Sequence, residues 1–128
     1  MNITAVTKAA ITSMAVKWDT YLKSRRNPES LVQKQILDWL KLNPDLGYFF
    51  RVHNTGIYDP KRSVFRTNQH KGLADIMGVS KGRFIAIEVK TGNGKLSYDQ
   101  DQFKSHVQEN DGRYIEARSI EDVIEGLK

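Results

Sequence analysis

The stretch from Gly72 to Lys90, GLADIMGVSKGRFIAIEVK, reads as two apolar strands joined by a Gly-containing turn, a hairpin over residues 73–79 and 83–90. Strand alternation puts Leu73, Asp75 and Met77 on one face, and Phe84, Ala86, Glu88 and Lys90 on one face of the next strand. Asp75 and Glu88 therefore fall among core-facing neighbours. An unpaired buried carboxylate costs several kcal/mol, and two close together repel until one protonates or a cation sits between them. Two arrangements satisfy this. In one, both acids share Lys90 at the sheet edge. In the other they hold a divalent metal, and hard carboxylate oxygens without nearby His or Cys suit Mg²⁺ or Mn²⁺ rather than zinc. Lys90, on the same face as Glu88, would then orient an attacking water or neutralise charge developing on a phosphate.

The remaining pattern supplies the elements around this hairpin. Ile11, Met14, Trp18 and Leu22 recur at helical spacing within residues 4–24. Asn27-Pro28-Glu29 opens a second helix, with Asn as N-cap, Pro in the first turn and Leu31, Ile36 and Leu40 on its apolar side, closing near Asn43-Pro44. YFFRVHN (48–54) has the composition of a strand, and residues 55–71 read as a long Gly-, Pro- and Arg/Lys-containing loop. A helix over 98–109, a strand over 112–117 and a helix over 119–127 complete the order. A mixed α/β domain with a central sheet follows.

With 128 residues, 39% hydrophobic and 27% charged, the chain describes one ordinary domain. It has no cysteine, which excludes disulfides, thiolate zinc sites and cysteine nucleophiles. No apolar run approaches the roughly 18–20 residues that span a bilayer, and a cytoplasmic protein is expected. The net charge of +5 is uneven: residues 1–71 carry 12 Lys/Arg against 5 Asp/Glu, and residues 72–128 carry 8 against 10. The first half is the candidate polyanion surface.

The arrangement Asp75…Glu88-Val89-Lys90 resembles the signature of the PD-(D/E)XK nuclease superfamily. ESLVQKQILDWL, FFRVHNTG, KGLADIMGV, FIAIEVKTGNGKLSYDQDQF and GRYIEARSIEDVIEGL together look like the VRR-NUC (virus-type replication and repair nuclease) family in its compact, phage-like single-domain form. The resemblance covers roughly residues 28–127, so the expected organisation is a nuclease domain over 27–128 with residues 1–26 as an amphipathic helix outside it. It implies a restriction-endonuclease-like core of order αβββαβ. It also implies Asp75 and Glu88 as metal-binding acids, the Val89 carbonyl as a further ligand, Lys90 as the catalytic lysine, Gln100 beside the site and Glu29 as the acid that completes it. Tyr98 stands where the family usually has proline, and Leu73-Ala74 precede the first acid. Two of these residues have rival roles. Glu29 falls in the first turn of its helix, where the dipole favours any carboxylate, and Gln100 follows Ser97 at capping-box spacing.

The activity implied is Mg²⁺-dependent hydrolysis of phosphodiester bonds in branched DNA, of Holliday-junction or flap type, in phage replication, recombination or repair, with Mn²⁺ able to substitute. A restriction-type nuclease and a non-catalytic DNA-binding module with the same fold are the alternatives. Arg51, His53 and Asn54, at the end of the first strand, lie toward the site. Lys61, Arg62, Arg66, His70 and Lys71, interleaved with Tyr58 and Phe65, suit a phosphate backbone and unpaired bases. No helix resembles a major-groove reader. A homodimer is expected, because a four-way junction has two-fold symmetry, and the stripe Ile11, Met14, Trp18 and Leu22 is the expected contributor to its interface.

Overall fold

The computed structural model describes residues 10–15, 28–53, 57–66 and 70–128. A helix, α1 (Pro28–Leu42), buries Leu31, Ile36, Trp39 and Leu40 along one side. It ends where Asn43 donates from Nδ2 to the Trp39 carbonyl (2.8 Å) and Pro44 cannot continue the ladder. A 3₁₀ turn (Pro44–Leu46) leads into β1 (Tyr48–Arg51). After β2 (Ile57–Asp59) and β3 (Val64–Arg66) come β4 (Ile76–Ser80), β5 (Arg83–Val89), α2 (Tyr98–Glu109), β6 (Arg113–Ala117) and α3 (Ile120–Gly126).

The main sheet has the order β1-β4-β5-β6. β4 and β5 form the hairpin expected at Gly72–Lys90, with Ser80 opposite Arg83 and both central residues, Lys81 (φ 50°) and Gly82 (φ 77°), at positive φ. That pair of dihedrals matches the twist of the flanking strands in a two-residue hairpin. β6 runs parallel to β5, which requires a crossover, and α2 provides it. β5 is central and buried from Ile85 to Val89. Its Ile85, Ile87 and Val89 face the large core made with α1 and α3, whereas Ala86 joins Ala74 and Val107 under α2. Alternation sends Glu88 to the α2 side. A mixed four-stranded sheet between helices is the result, as the sequence pattern led us to expect.

Two expectations change. The first strand stops at Arg51, because Val52 turns its amide to the Asp75 carbonyl (2.8 Å) instead of continuing a ladder. Residues 55–71 are not wholly loop, since β2 and β3 pair as a separate antiparallel ribbon. Three-residue strands without strong alternation are hard to tell from loop by pattern. Residues 10–15 are helical, and Ile11 and Met14, both partly buried, pack against the large core. Trp18, Leu22, Asn27, Asn54 and Gly56 lie outside the described residues.

Gly78 sits where β4 meets β1 most tightly, and a Cβ there would lie 2.1 Å from the Tyr48 carbonyl oxygen and 2.7 Å from Phe49 Cδ1. Gly78→Ala should lower stability by about 1–3 kcal/mol, read from the urea midpoint at unchanged m. A loss below about 0.5 kcal/mol would mean that β1 can move aside at no expense.

Candidate metal centre

The site begins with the ends of two neighbouring strands. Asp75 precedes β4 by one residue, and its carbonyl is held by Val52 at the end of β1. Its side chain turns across the hairpin, where Oδ2 accepts the amide of Val89 at 2.8 Å. The ladder between β4 and β5 is thus prolonged by a carboxylate. Glu88, the preceding residue of β5, is 2% exposed. Its Oε1 accepts from Gln100 Nε2 at 2.8 Å and lies 3.6 Å from Lys90 Nζ, while Oε2 is buried and meets no hydrogen-bond donor. Glu29 arrives from the first turn of α1. One carboxylate oxygen each from Glu29, Asp75 and Glu88 lie within 4.8 Å of one another.

Gln100 fills both roles that the sequence left open. Its amide oxygen accepts from the Ser97 backbone (2.9 Å) and its backbone amide donates to Ser97 Oγ (3.2 Å), completing a capping box at the start of α2. The remaining amide nitrogen points to Glu88. A capping bond therefore fixes which way the amide faces, and so which Glu88 oxygen is occupied.

Burial is the main cause that pushes the Glu88 carboxyl up to about 7; the negative charge of Asp75 adds to it, and Lys90 and the nearby Asp75 backbone amide oppose it. Asp75 is also raised, first by burial and then by Glu29, against the Val89 amide, Lys90 and Arg51. Three converging carboxylates with Lys90 beside them leave a site short of positive charge. The donor set is all hard oxygen, and Glu88 Oε2 is an unused buried acceptor. These features suit a small divalent cation of the Mg²⁺ or Mn²⁺ kind. No known protein family and no curated protein matches the chain.

Glu29, Asp75, Glu88, Val89, Lys90 and Gln100 are thus brought together. The other cations are not gathered there. Arg51 is exposed at the end of β1, near enough to oppose the rise at Asp75, and His53 is exposed just beyond it. Lys61 and Arg62 occupy the β2–β3 turn, and His70 and Lys71 are exposed on the way back to Asp75. Arg66 belongs to β3, but its side chain and that of Phe65 lie outside the description.

Three contributors escaped the sequence reading. Gly72 (φ +78°) lies so close to the start of α2 that a Cβ would meet the Asp99 carbonyl at 2.3 Å and the Gln100 amide at 2.7 Å. Arg118 donates to the carbonyls of Gly92 (3.3 Å) and Gly94 (2.8 Å), tying the connection after Lys90 to the end of β6. Tyr114, opposite Ala86 on β6, has a buried hydroxyl without an acceptor, and burial, with the nearby Glu88 charge, raises its pKa. Nothing local in the sequence marked these contacts, because each joins residues far apart in the chain.

Glu88 binds its proton more tightly folded than unfolded, so between its ordinary value of 4.5 and about 7 the native state holds more protons. The resulting stability is fully present below pH 4.5 and is lost as pH rises through about 7; Asp75 acts in the same direction. In EDTA, thermal or urea unfolding should show a loss on the order of 3 kcal/mol across that window in wild type relative to Glu88→Gln. Identical profiles would show that Glu88 titrates normally. Separately, Gly72→Ala should displace the first turn of α2 and weaken Mn²⁺ binding about tenfold by calorimetry, since Gln100 would no longer hold Glu88. Unaltered Mn²⁺ affinity would show that the contact yields without moving Gln100.

Proposed function

We propose that this chain is a Mg²⁺-dependent, structure-specific DNA endonuclease of the VRR-NUC type, built on the PD-(D/E)XK core. One observation carries the reading: Glu29, Asp75 and Glu88 bring one carboxylate oxygen each within 4.8 Å of one another, with Lys90 Nζ 3.6 Å from Glu88 Oε1. The topology supports it too. With the β2–β3 ribbon left aside, the order from α1 to β6 is αβββαβ, which the resemblance implies. A lysine and three acids could form a purely structural charge cluster, but Lys90 ion-pairs with only one of the three, Glu88.

In this reading Glu29, Asp75, Glu88 and the Val89 carbonyl hold Mg²⁺, or Mn²⁺ in its place. Bound there, the metal supplies Lewis-acid stabilisation of the phosphoryl oxygens and acidifies water. The protein's own groups do the rest. Gln100 holds the Glu88 carboxylate in place through Oε1. Val89 N holds Asp75 in one rotamer. Lys90, largely buried, directs Nζ toward the attacking water or a non-bridging phosphate oxygen, where its charge offsets what accumulates as water oxygen adds to phosphorus and the ester oxygen leaves with a proton. The low exposure of these groups raises the value of each charge. Branched DNA of Holliday-junction or flap type is the proposed substrate, and a C2 homodimer would place two sites on a two-fold junction. The exposed Arg51, His53, Lys61, Arg62 and Lys71, with Arg66, are the proposed phosphate contacts.

Radiolabelled linear, flap and four-way-junction DNA, incubated with and without Mg²⁺, test the activity directly. Asp75→Asn and Glu88→Gln should abolish cleavage while DNA affinity stays within a few-fold, because the basic surface is kept. Lys90→Met should still bind Mn²⁺ by calorimetry yet lose roughly 10²-fold in single-turnover rate. Cleavage near the wild-type rate by either acid variant would sink the reading.

A further inference from the structure

The β2–β3 ribbon has no role in the fold just described. It is a separate two-stranded sheet, with Tyr58 opposite Phe65 and Asp59 opposite Val64. Its turn, residues 60–63, is built deliberately: Asp59 Oδ1 accepts the Lys61 amide at 3.0 Å, and Ser63 adopts a positive φ of 53°. That turn exposes Lys61 and Arg62, and neither makes an ion pair among the described residues. Tyr58 is 58% exposed and has no ring partner among them. The excursion leaves the main sheet at Val52 and returns at Asp75, and these two residues are hydrogen-bonded to each other. The chain that carries the ribbon therefore leaves and rejoins the main sheet beside Asp75 of the acid cluster.

We infer that the β2–β3 ribbon recognises interruptions in the base stack of DNA, with Tyr58 stacking on the exposed base and Lys61 and Arg62 holding neighbouring phosphates. This rests on the nuclease reading in taking DNA as the partner, and it assigns the choice of branched substrate to this arm. The physical reason is stacking. Within continuous duplex each base has both faces covered by its neighbours, so an aromatic ring finds a free π-face only at a branch, flap, nick or end. Base–aromatic stacking tolerates any sequence, which suits recognition of shape rather than of bases. The cations add affinity without adding that preference, since they meet the same phosphates in any DNA. Chain length sets the reach: from His53 to Lys61 the backbone extends at most about 28 Å. At 3.4 Å per base pair, the tip contacts phosphates no more than about eight base pairs from the cut.

The test uses the full chain in EDTA, where no cutting occurs, and measures anisotropy of a labelled four-way junction and a labelled flap, each competed by relaxed closed-circular plasmid, which has no interrupted stack. Wild type should prefer both branched forms. Tyr58→Ala should lower branched-DNA affinity by about 5- to 150-fold and leave plasmid affinity unchanged, and Tyr58→Phe should retain the preference. Lys61→Ala with Arg62→Ala should weaken all forms together and shallow the log–log salt slope by up to about two. 2-Aminopurine at the branch should change fluorescence with wild type and Tyr58→Phe and not with Tyr58→Ala. No preference in wild type, or an equal loss on plasmid and junction in Tyr58→Ala, overturns the inference. A wild-type protein that prefers junctions in this way but never cuts them in Mg²⁺ would overturn the nuclease reading and leave this one standing.

Discussion

The Val89 amide donates to Asp75 Oδ2 across 2.8 Å, and the site is organised around that bond. It lies one step beyond the last paired residues of β4 and β5, where the antiparallel ladder would otherwise fray. By accepting a backbone amide, Asp75 is held in a single orientation at the end of a strand whose own carbonyl is tied to Val52 on β1. The ends of β1, β4 and β5 are joined in this way at Asp75, β1 through the Asp75 backbone carbonyl and β5 through the Asp75 carboxylate. The same bond partly counters the burial that makes Asp75 a poor anion. It fixes the separation between Asp75 and Glu88, and hence the repulsion that a cation would relieve.

Glu88 depends on this frame and on α2. Its place on the central strand leaves it buried, with Ala86 next to it on the same face and the helix above. A lone carboxylate there would remain protonated well into the neutral range. Gln100 reaches it only because the helix begins at Ser97, and the close approach of Gly72 lets that first turn settle against the segment leading to Asp75. Arg118 then holds the connection between Lys90 and the helix from the far side of β6. The backbone of α2 is thus set by contacts from three sides, and a side-chain amide transmits that setting to one carboxylate oxygen.

Charge is arranged in two places with different physics. The acids and Lys90 are buried or nearly so, where each interaction is strong and each group carries a desolvation penalty. Arg51, His53, Lys61, Arg62 and Lys71 are exposed, where salt screens them and where they remain free to meet a polyanion. Arg51 comes near enough to Asp75 to favour its charged form, and Lys61 and Arg62 stand exposed on the turn of the ribbon.

The sequence by itself determined the β4–β5 hairpin, α1, α2 and the placement of Glu88, because strong apolar alternation, a Lys-Gly turn and capping residues act over a few positions and need no distant partner. It also marked Asp75, Glu88 and Lys90, since charges within apolar strands conflict with local burial. Only the tertiary structure decided that Glu29 meets them, that Gln100 both caps a helix and holds Glu88, that Gly72 and Arg118 set the helix in place, and that Ile11 and Met14 pack against the core. It also decided that residues 57–66 form a ribbon, for pairing across so short a segment depends on where its ends are held. Each of these rests on contacts between residues far apart in the chain, whose geometry no local spacing encodes.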